Sequence, residues 1–402
     1  MAAACCSRQF QLCGYSLIVM TELGGDQRCN LCLQRKRRLF TGINWHFNSF
    51  LPAQANSRET PRNLTISLVK SHRYCALGAE INSDLVLPEL SVSDSASDVL
   101  VQIQQGDHDQ WPSLEPSPHS TPTLQLSPQD WRLELEGIGW FRATGGELLE
   151  WQRWDDSVSD RDIRTFAVTS GLGALAIQRG ALVLHGTALE RDGEAILLLG
   201  HPAAGKSTLA WCLLQEGWRL LSSELVAVGS DGMVQPGMHQ LKLWYDAAVT
   251  LELDWAQLPP VRKGLKRYAL MAQDLTCMPQ PTPLRLIYAL NRAKEDSGKG
   301  VDIEAGTEME KISLKASRNF SQTNALMRLR NQAFHARMYR GMDAEAQLFM
   351  QAAALARTVP LHALVVPDGI KAMAESLKEV DLMQPESMQQ RKESKEEDTN
   401  DD

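Results

Sequence analysis

The sequence contains no apolar run near the roughly 18 residues that a membrane-spanning helix needs. The one apolar run in its first twenty residues, 17–20, is too short for the hydrophobic segment of a secretory signal. A cytoplasmic protein without a membrane partner is the expectation. Positive charge is not in excess: 41 Lys and Arg face 49 Asp and Glu, a formal net charge of −8. No global basic field therefore draws the chain to nucleic acid, and short basic runs such as 35–38 read as solvated surface. Cysteine is scarce where the chain looks organised. Of eight, only Cys212 and Cys277 follow residue 76, which excludes a disulfide framework. Cys29 and Cys32 have metal-ligand spacing, but no second cysteine pair or histidine pair completes a zinc site.

Low order is expected before residue 131. Residues 1–80 keep neither helical nor strand periodicity, and Met20 is followed by an ordinary polar start that makes it an alternative initiator. Residues 82–130 are rich in Ser, Pro, Asp and Gln, too polar to offset the entropy of ordering, and read as a linker. The domain reading is a low-order segment and linker at 1–130, a small strand and helix lead-in at 131–180, a kinase-like domain at 181–370, and a charged tail at 371–402.

From residue 131 the patterns sharpen, and the 43% hydrophobic content becomes concentrated enough for a sizeable core. Trp131, Leu133 and Leu135 alternate with polar residues before Trp140 and Phe141, predicting a small antiparallel strand pair. A helix is expected at 166–179, a strand at 181–184 ending on His185, a buried strand at 195–199 and a strand at 218–228. Asp231-Gly232 marks a hairpin turn. Further strands are expected at 284–290 and 361–366. Helices are expected at 325–338 and 343–357, the second capped by Asp343.

The most informative segment is Gly200-His201-Pro202-Ala203-Ala204-Gly205-Lys206-Ser207, which fits G-x-x-x-x-G-K-[ST]. Glycines at the two ends let the backbone wrap so that successive amides can meet phosphate oxygens. Thr208 opens the following helix, whose positive end faces the same anion. Lys206 supplies a charge towards β- and γ-phosphates, and Ser207 a hydroxyl for Mg²⁺. The apolar strand before the match, and the apolar spacing of Leu209, Cys212 and Leu213 after it, give the strand–loop–helix context that a phosphate loop requires. Gly217 would end that helix. No Asn-Lys-x-Asp guanine signature follows, so ATP is favoured over GTP.

The flanks carry a resemblance. Gln178-Arg179-Gly180, then Leu184-His185-Gly186-Thr187-Ala188-Leu189, the phosphate loop, Arg219-Leu220-Leu221-Ser222-Ser223-Glu224-Leu225-Val226, and Lys242-Leu243-Trp244 resemble the HPr kinase/phosphorylase family, chiefly its shorter related proteins. The likeness covers roughly residues 131–370, with its specific motifs at 178–246. It implies an α/β fold shared with phosphoenolpyruvate carboxykinases: a phosphate loop in a mixed sheet with flanking helices, following the small antiparallel region. It also implies ATP and Mg²⁺ as cofactors and transfer of a γ-phosphoryl to a hydroxyl of a protein, peptide or small-molecule acceptor. The parent family forms hexamers, so a homo-oligomer is a further expectation.

On that resemblance His185 would stand near the γ-phosphate, and Glu224 would help hold Mg²⁺. The first acid of the family's pair is replaced by Ser223, which cannot serve as a comparable base. Either Glu224 takes over that role, or transfer is weak, or ATP is bound without transfer. Lys242, Arg262, Lys263, Lys266 and Arg267 form a basic cluster that reads as a solvated face or a contact for nucleotide. Trp211, Trp218, Trp244 and Trp255 read as core or rim packing.

Overall fold

The structure is a computed structural model that describes residues 5–12, 15–22, 66–93, 98–262, 264–271, 280–292, 315–367, 369–378 and 381–383. Cys29, Cys32, Lys263, Cys277 and the tail at 391–402 lie outside the described residues. The chain forms two units, Met1–Ser71 and His72–Asp402. The first holds an antiparallel sheet of Cys5–Leu12, Tyr15–Glu22 and Ile66–Lys70. Tyr15–Glu22 reads Tyr-Ser-Leu-Ile-Val-Met-Thr-Glu, and its aromatic and β-branched residues favour a pleated strand over any helix.

The second unit begins with an eight-stranded sheet. Its order is Ser91–Val92, His72–Ala76, Ala79–Ser83, Leu100–Gln105, Leu148–Arg153, Gly139–Thr144, Asp130–Leu135 and Leu124–Leu126. Residues 82–130 are therefore no simple linker, and the boundary expected at residue 131 falls inside a sheet. Leu85, Leu87, Leu90, Val101, Ile103 and Leu126 are buried, while Val86, Val92 and Leu100 stay exposed, so a polar composition conceals a sufficient inner face. The antiparallel pairing of Asp130–Leu135 with Gly139–Thr144 matches the alternation at 131–135.

A central mixed sheet follows. Arg219–Val228 and Leu182–Arg191 pair antiparallel, as do Leu182–Arg191 and Glu194–Leu199. Glu194–Leu199, Thr282–Arg292 and Leu361–Val366 then run parallel, with Lys315–Asn319 antiparallel at the far edge. The hairpin through Asp231-Gly232 brings Met233–Val234 onto both Arg219–Val228 and Thr282–Arg292. The chain is thus mixed α/β.

Both faces of this sheet are covered, which is why 195–199 is apolar without alternation. Leu197 and Leu199 join a core that includes Ile81, Trp131, Phe141, Leu149, Leu175 and Leu348. Ile196 and Leu198 join a second core with Leu209, Leu213, Trp218, Tyr288 and Met373. Glu194–Leu199 is clamped between two apolar layers.

Several boundaries differ from expectation for identifiable reasons. The helix expected at 166–179 starts earlier, at Asp160, where Ser159 accepts a hydrogen bond from the amide of Asp162. His185 is mid-strand rather than terminal, because Leu182–Arg191 keeps pairing beyond it, to Glu190 on one edge and Arg191 on the other. The helix expected at 325–338 is split into Gln322–Asn331 and Ala336–Gly341. Between them the amide of Phe334 donates to Val183 O, the amide of His185 donates to Gln332 O, and His335 takes φ +46°. Tertiary pairing to a strand edge here overrides local helix propensity. The next helix is Glu345–Thr358, and Asp343 is not its cap. Tyr339 fastens the second half of the split helix, its hydroxyl accepting from the buried Val183 amide at 2.8 Å. Tyr339→Phe orphans that amide and is expected to lower stability by about 1–3 kcal/mol, measured by urea unfolding; an unchanged midpoint would refute the anchoring role.

Candidate functional site

The segment 200–207 lies where Glu194–Leu199 ends and the helix Lys206–Gln215 begins. Gly200 packs tightly: a Cβ there would meet Ala204 Cβ at 3.0 Å and Leu290 O at 3.3 Å. Gly205 precedes the helix at φ +94°, a conformation costly for any residue with a side chain. Trp218 N closes the other end of the helix on Leu213 O, across Gly217 at φ +85°.

His201, Pro202 and Ala203 are exposed, while Ala204, Gly205, Lys206, Ser207 and Thr208 are half-buried. The amides of Ala203, Gly205, Lys206, Ser207 and Thr208 have no hydrogen-bond partner among the described residues. Helix-start amides lack partners in general, and with the helix dipole they suit an anion. The Lys206 ammonium folds back onto the loop, donating to Gly200 O at 2.7 Å and His201 O at 3.1 Å. Burial lowers its pKa to about 8, opposed by Glu224 and assisted by Arg267. Ser207 Oγ likewise has no partner among the described residues.

Leu182–Arg191 changes partner at the loop. Gly186 pairs with Leu199, the last residue before the loop, whereas His185 and Leu184 pair with Gln332 and Ala333. His185 therefore stands beside the first residue of the loop, and the connection carrying His335 is drawn to the same place. Burial lowers the pKa of His185; Lys206, His335 and Arg267 lower it further, and Glu224 opposes them. The ring is neutral at pH 7. His335 itself is exposed.

Glu224 lies across the ladder from Gly186 and has φ +62°, rare for a residue with a side chain. It accepts from Lys242 Nζ and, at 3.2 Å, from Arg267 Nη2. Burial pushes its pKa up, but Lys242, Arg267 and His185 outweigh burial and hold it below the usual value. The carboxylate is charged and paired. Ser223 is buried, and its hydroxyl donates to the carbonyls of Gln240 and Met238, so it is committed to the backbone.

His185, Lys206 and Glu224 thus lie within mutual electrostatic reach. The basic cluster divides: Lys242 is buried and Arg267 half-buried at Glu224, correcting the solvated reading for these two, while Arg262 and Lys266 are exposed. Trp218 is core, whereas Trp244 and Trp255 are well exposed. Trp244 lies under Arg267, with the guanidinium 5.7 Å from the ring centre. His335 was missed, because an unbroken helical pattern conceals the interruption that places it. Neither a family model nor a curated protein matches the chain. Among the described residues no helix is long and apolar enough to cross a membrane.

Removing Lys242 should leave Glu224 with Arg267 as its direct cationic partner among the described residues. Lys242→Met is expected to cost about 2 kcal/mol, below the range for a fully buried pair because Glu224 keeps some solvent access. In a double-mutant cycle with Glu224→Gln, a coupling near zero would refute the pairing. A depressed folded pKa also has a signed consequence. The contribution of Glu224 is present above the unfolded carboxylate value, about 4.3, and is lost as pH falls through the lower folded one. The wild type should lose that increment on acidification and Glu224→Gln should not, as read by unfolding midpoints between pH 6 and 3.

Proposed function

We propose that the chain is an ATP-dependent phosphotransferase of the HPr-kinase-related type, acting on a hydroxyl of a protein, peptide or small molecule in the cytoplasm. The observation that carries the reading is the row of unpartnered amides at the start of Lys206–Gln215, with the Lys206 ammonium beside them. In this reading residues 200–208 form a phosphate loop within a mixed sheet of the HPr kinase and phosphoenolpyruvate carboxykinase kind. Lys206 exchanges two loop carbonyls for β- and γ-phosphate oxygens, which are better acceptors.

The donor set fits magnesium in part. Ser207 Oγ, a hard oxygen without a protein partner, suits direct ligation. Glu224 already accepts from two cations and fits a role through water. When bound, the ion neutralises charge on the β- and γ-oxygens. The acceptor oxygen attacks γ-phosphorus, the bond to the β–γ bridging oxygen breaks, ADP departs, and the acceptor's proton passes to Glu224 or solvent. Arg267 and Lys242 steady charge on the transferring group, and neutral His185 offers it a hydrogen bond.

A second reading has its own support: ATP binding without transfer. Ser223 is held by backbone carbonyls and Glu224 by two cations, so neither stands uncommitted as a base. General-base help is worth roughly 10²–10⁴-fold, so its loss slows transfer without forbidding it.

Lys206→Ala should abolish Mg-ATP binding in calorimetry; unchanged affinity would remove the basis of both readings. Incubation with γ-labelled ATP and cell extract separates them. A labelled acceptor, lost in Glu224→Gln, supports transfer, and persistent absence of label in the wild type supports the regulator.

A further inference from the structure

A cavity of about 120 Å³ lies outside the loop region, against the ribbon formed by Gln240–Trp244 and Arg267–Met271. In that ribbon Gln240 faces Met271, Lys242 faces Ala269 and Trp244 faces Arg267, so these six residues share one face. One end of the face, Lys242 with Arg267, holds Glu224. The other end, Gln240 and Met271 with Ala269 and Lys242, walls the cavity. Lys242 belongs to both.

The opposite wall carries Glu89, Arg161, Arg164 and Thr165. Arg161 is exposed, whereas the Arg164 and Glu89 side chains are largely buried. Arg164 Nε donates to Glu89 Oε1 at 3.3 Å. Its two terminal nitrogens have no hydrogen-bond partner among the described residues. Glu89 buries Oε2 with no hydrogen-bond partner among the described residues. A buried carboxylate oxygen left unpaired is costly, and such groups in native proteins have an explanation.

From this arrangement we infer that the cavity is a binding site for a small zwitterion of free amino-acid size. Arg161 and Arg164 on the walls favour an anionic end, the Lys242 ammonium being already held by Glu224, and planar Arg164 with open terminal nitrogens suits a carboxylate. Glu89 sets the other end: after a small side-chain rotation, Oε2 accepts from a ligand ammonium. A plain anion leaves that oxygen unpaired, and a plain cation meets the two guanidiniums. Size agrees, since one water occupies about 10–15 Å³ on this measure, leaving room for a handful of heavy atoms. The site shares no residue with segment 200–208, so occupancy does not require nucleotide.

The test uses the full chain without nucleotide and each proteinogenic amino acid singly at millimolar concentration, read by thermal unfolding and calorimetry. At least one is expected to bind and raise Tm. Glu89→Gln and Arg164→Met should each weaken that binding by about tenfold or more, the size expected for hydrogen bonds to charged groups. Thr165→Phe, which fills the cavity without touching the ion pair, should block binding even if the other two variants fold poorly. All three should keep the Mg-ATP response if the chain has one, so failure here is distinguishable from failure of the nucleotide reading. The inference is overturned if no amino acid binds, if binding survives Thr165→Phe, or if inorganic phosphate binds as well and is indifferent to Glu89→Gln.

Discussion

The strand Leu182–Arg191 can have only one partner at each position of an edge, and it changes partner between Gly186 and His185. Up to Gly186 that edge belongs to Glu194–Leu199; from His185 it belongs to 332–334. Backbone groups in a buried sheet cannot go unpaired. When one strand peels away into the 200–207 loop, another piece of chain must take over its hydrogen bonds. The takeover breaks a helix, puts His335 in a left-handed conformation and brings two histidines to the mouth of the loop. The handover also requires Gly186, where a Cβ would lie 2.9 Å from Leu198 O.

The charges around Glu224 follow a second constraint. A half-buried carboxylate at a strained backbone position persists only if its surroundings fix it. Lys242 and Arg267, on facing strands of one ribbon, do so. The result is a charged carboxylate, a neutral histidine and a lysine of reduced pKa within mutual electrostatic reach. Perturbed groups gathered in this way are a mark of functional sites, although structural ion pairs also perturb pKa values.

Much of the central sheet was legible locally. The continuous apolar run at 195–199 reported burial on both faces, and 361–366 was readable to the residue. The loop was legible because glycine, lysine and serine at fixed spacing restrict backbone and chemistry together. Illegible were features whose cause lies far along the chain. The strands between residues 72 and 126 are short, and Ala79–Ser83 buries Glu80, Asn82 and Ser83 beside its apolar residues, so polarity there does not report exposure. The break at 332–335 responds to a strand edge some 150 residues away.

The sequence by itself determined that a glycine-bounded turn with Lys206 joins a buried strand to a helix, because those features depend on neighbours within a few residues. Only the tertiary structure decided that Lys242 and Arg267 meet Glu224, that Ser223 is tied to the backbone, and that His335 stands beside His185. Those outcomes depend on which strand edges are left to be paired and which buried charge must be matched, and both are settled only when distant segments pack together.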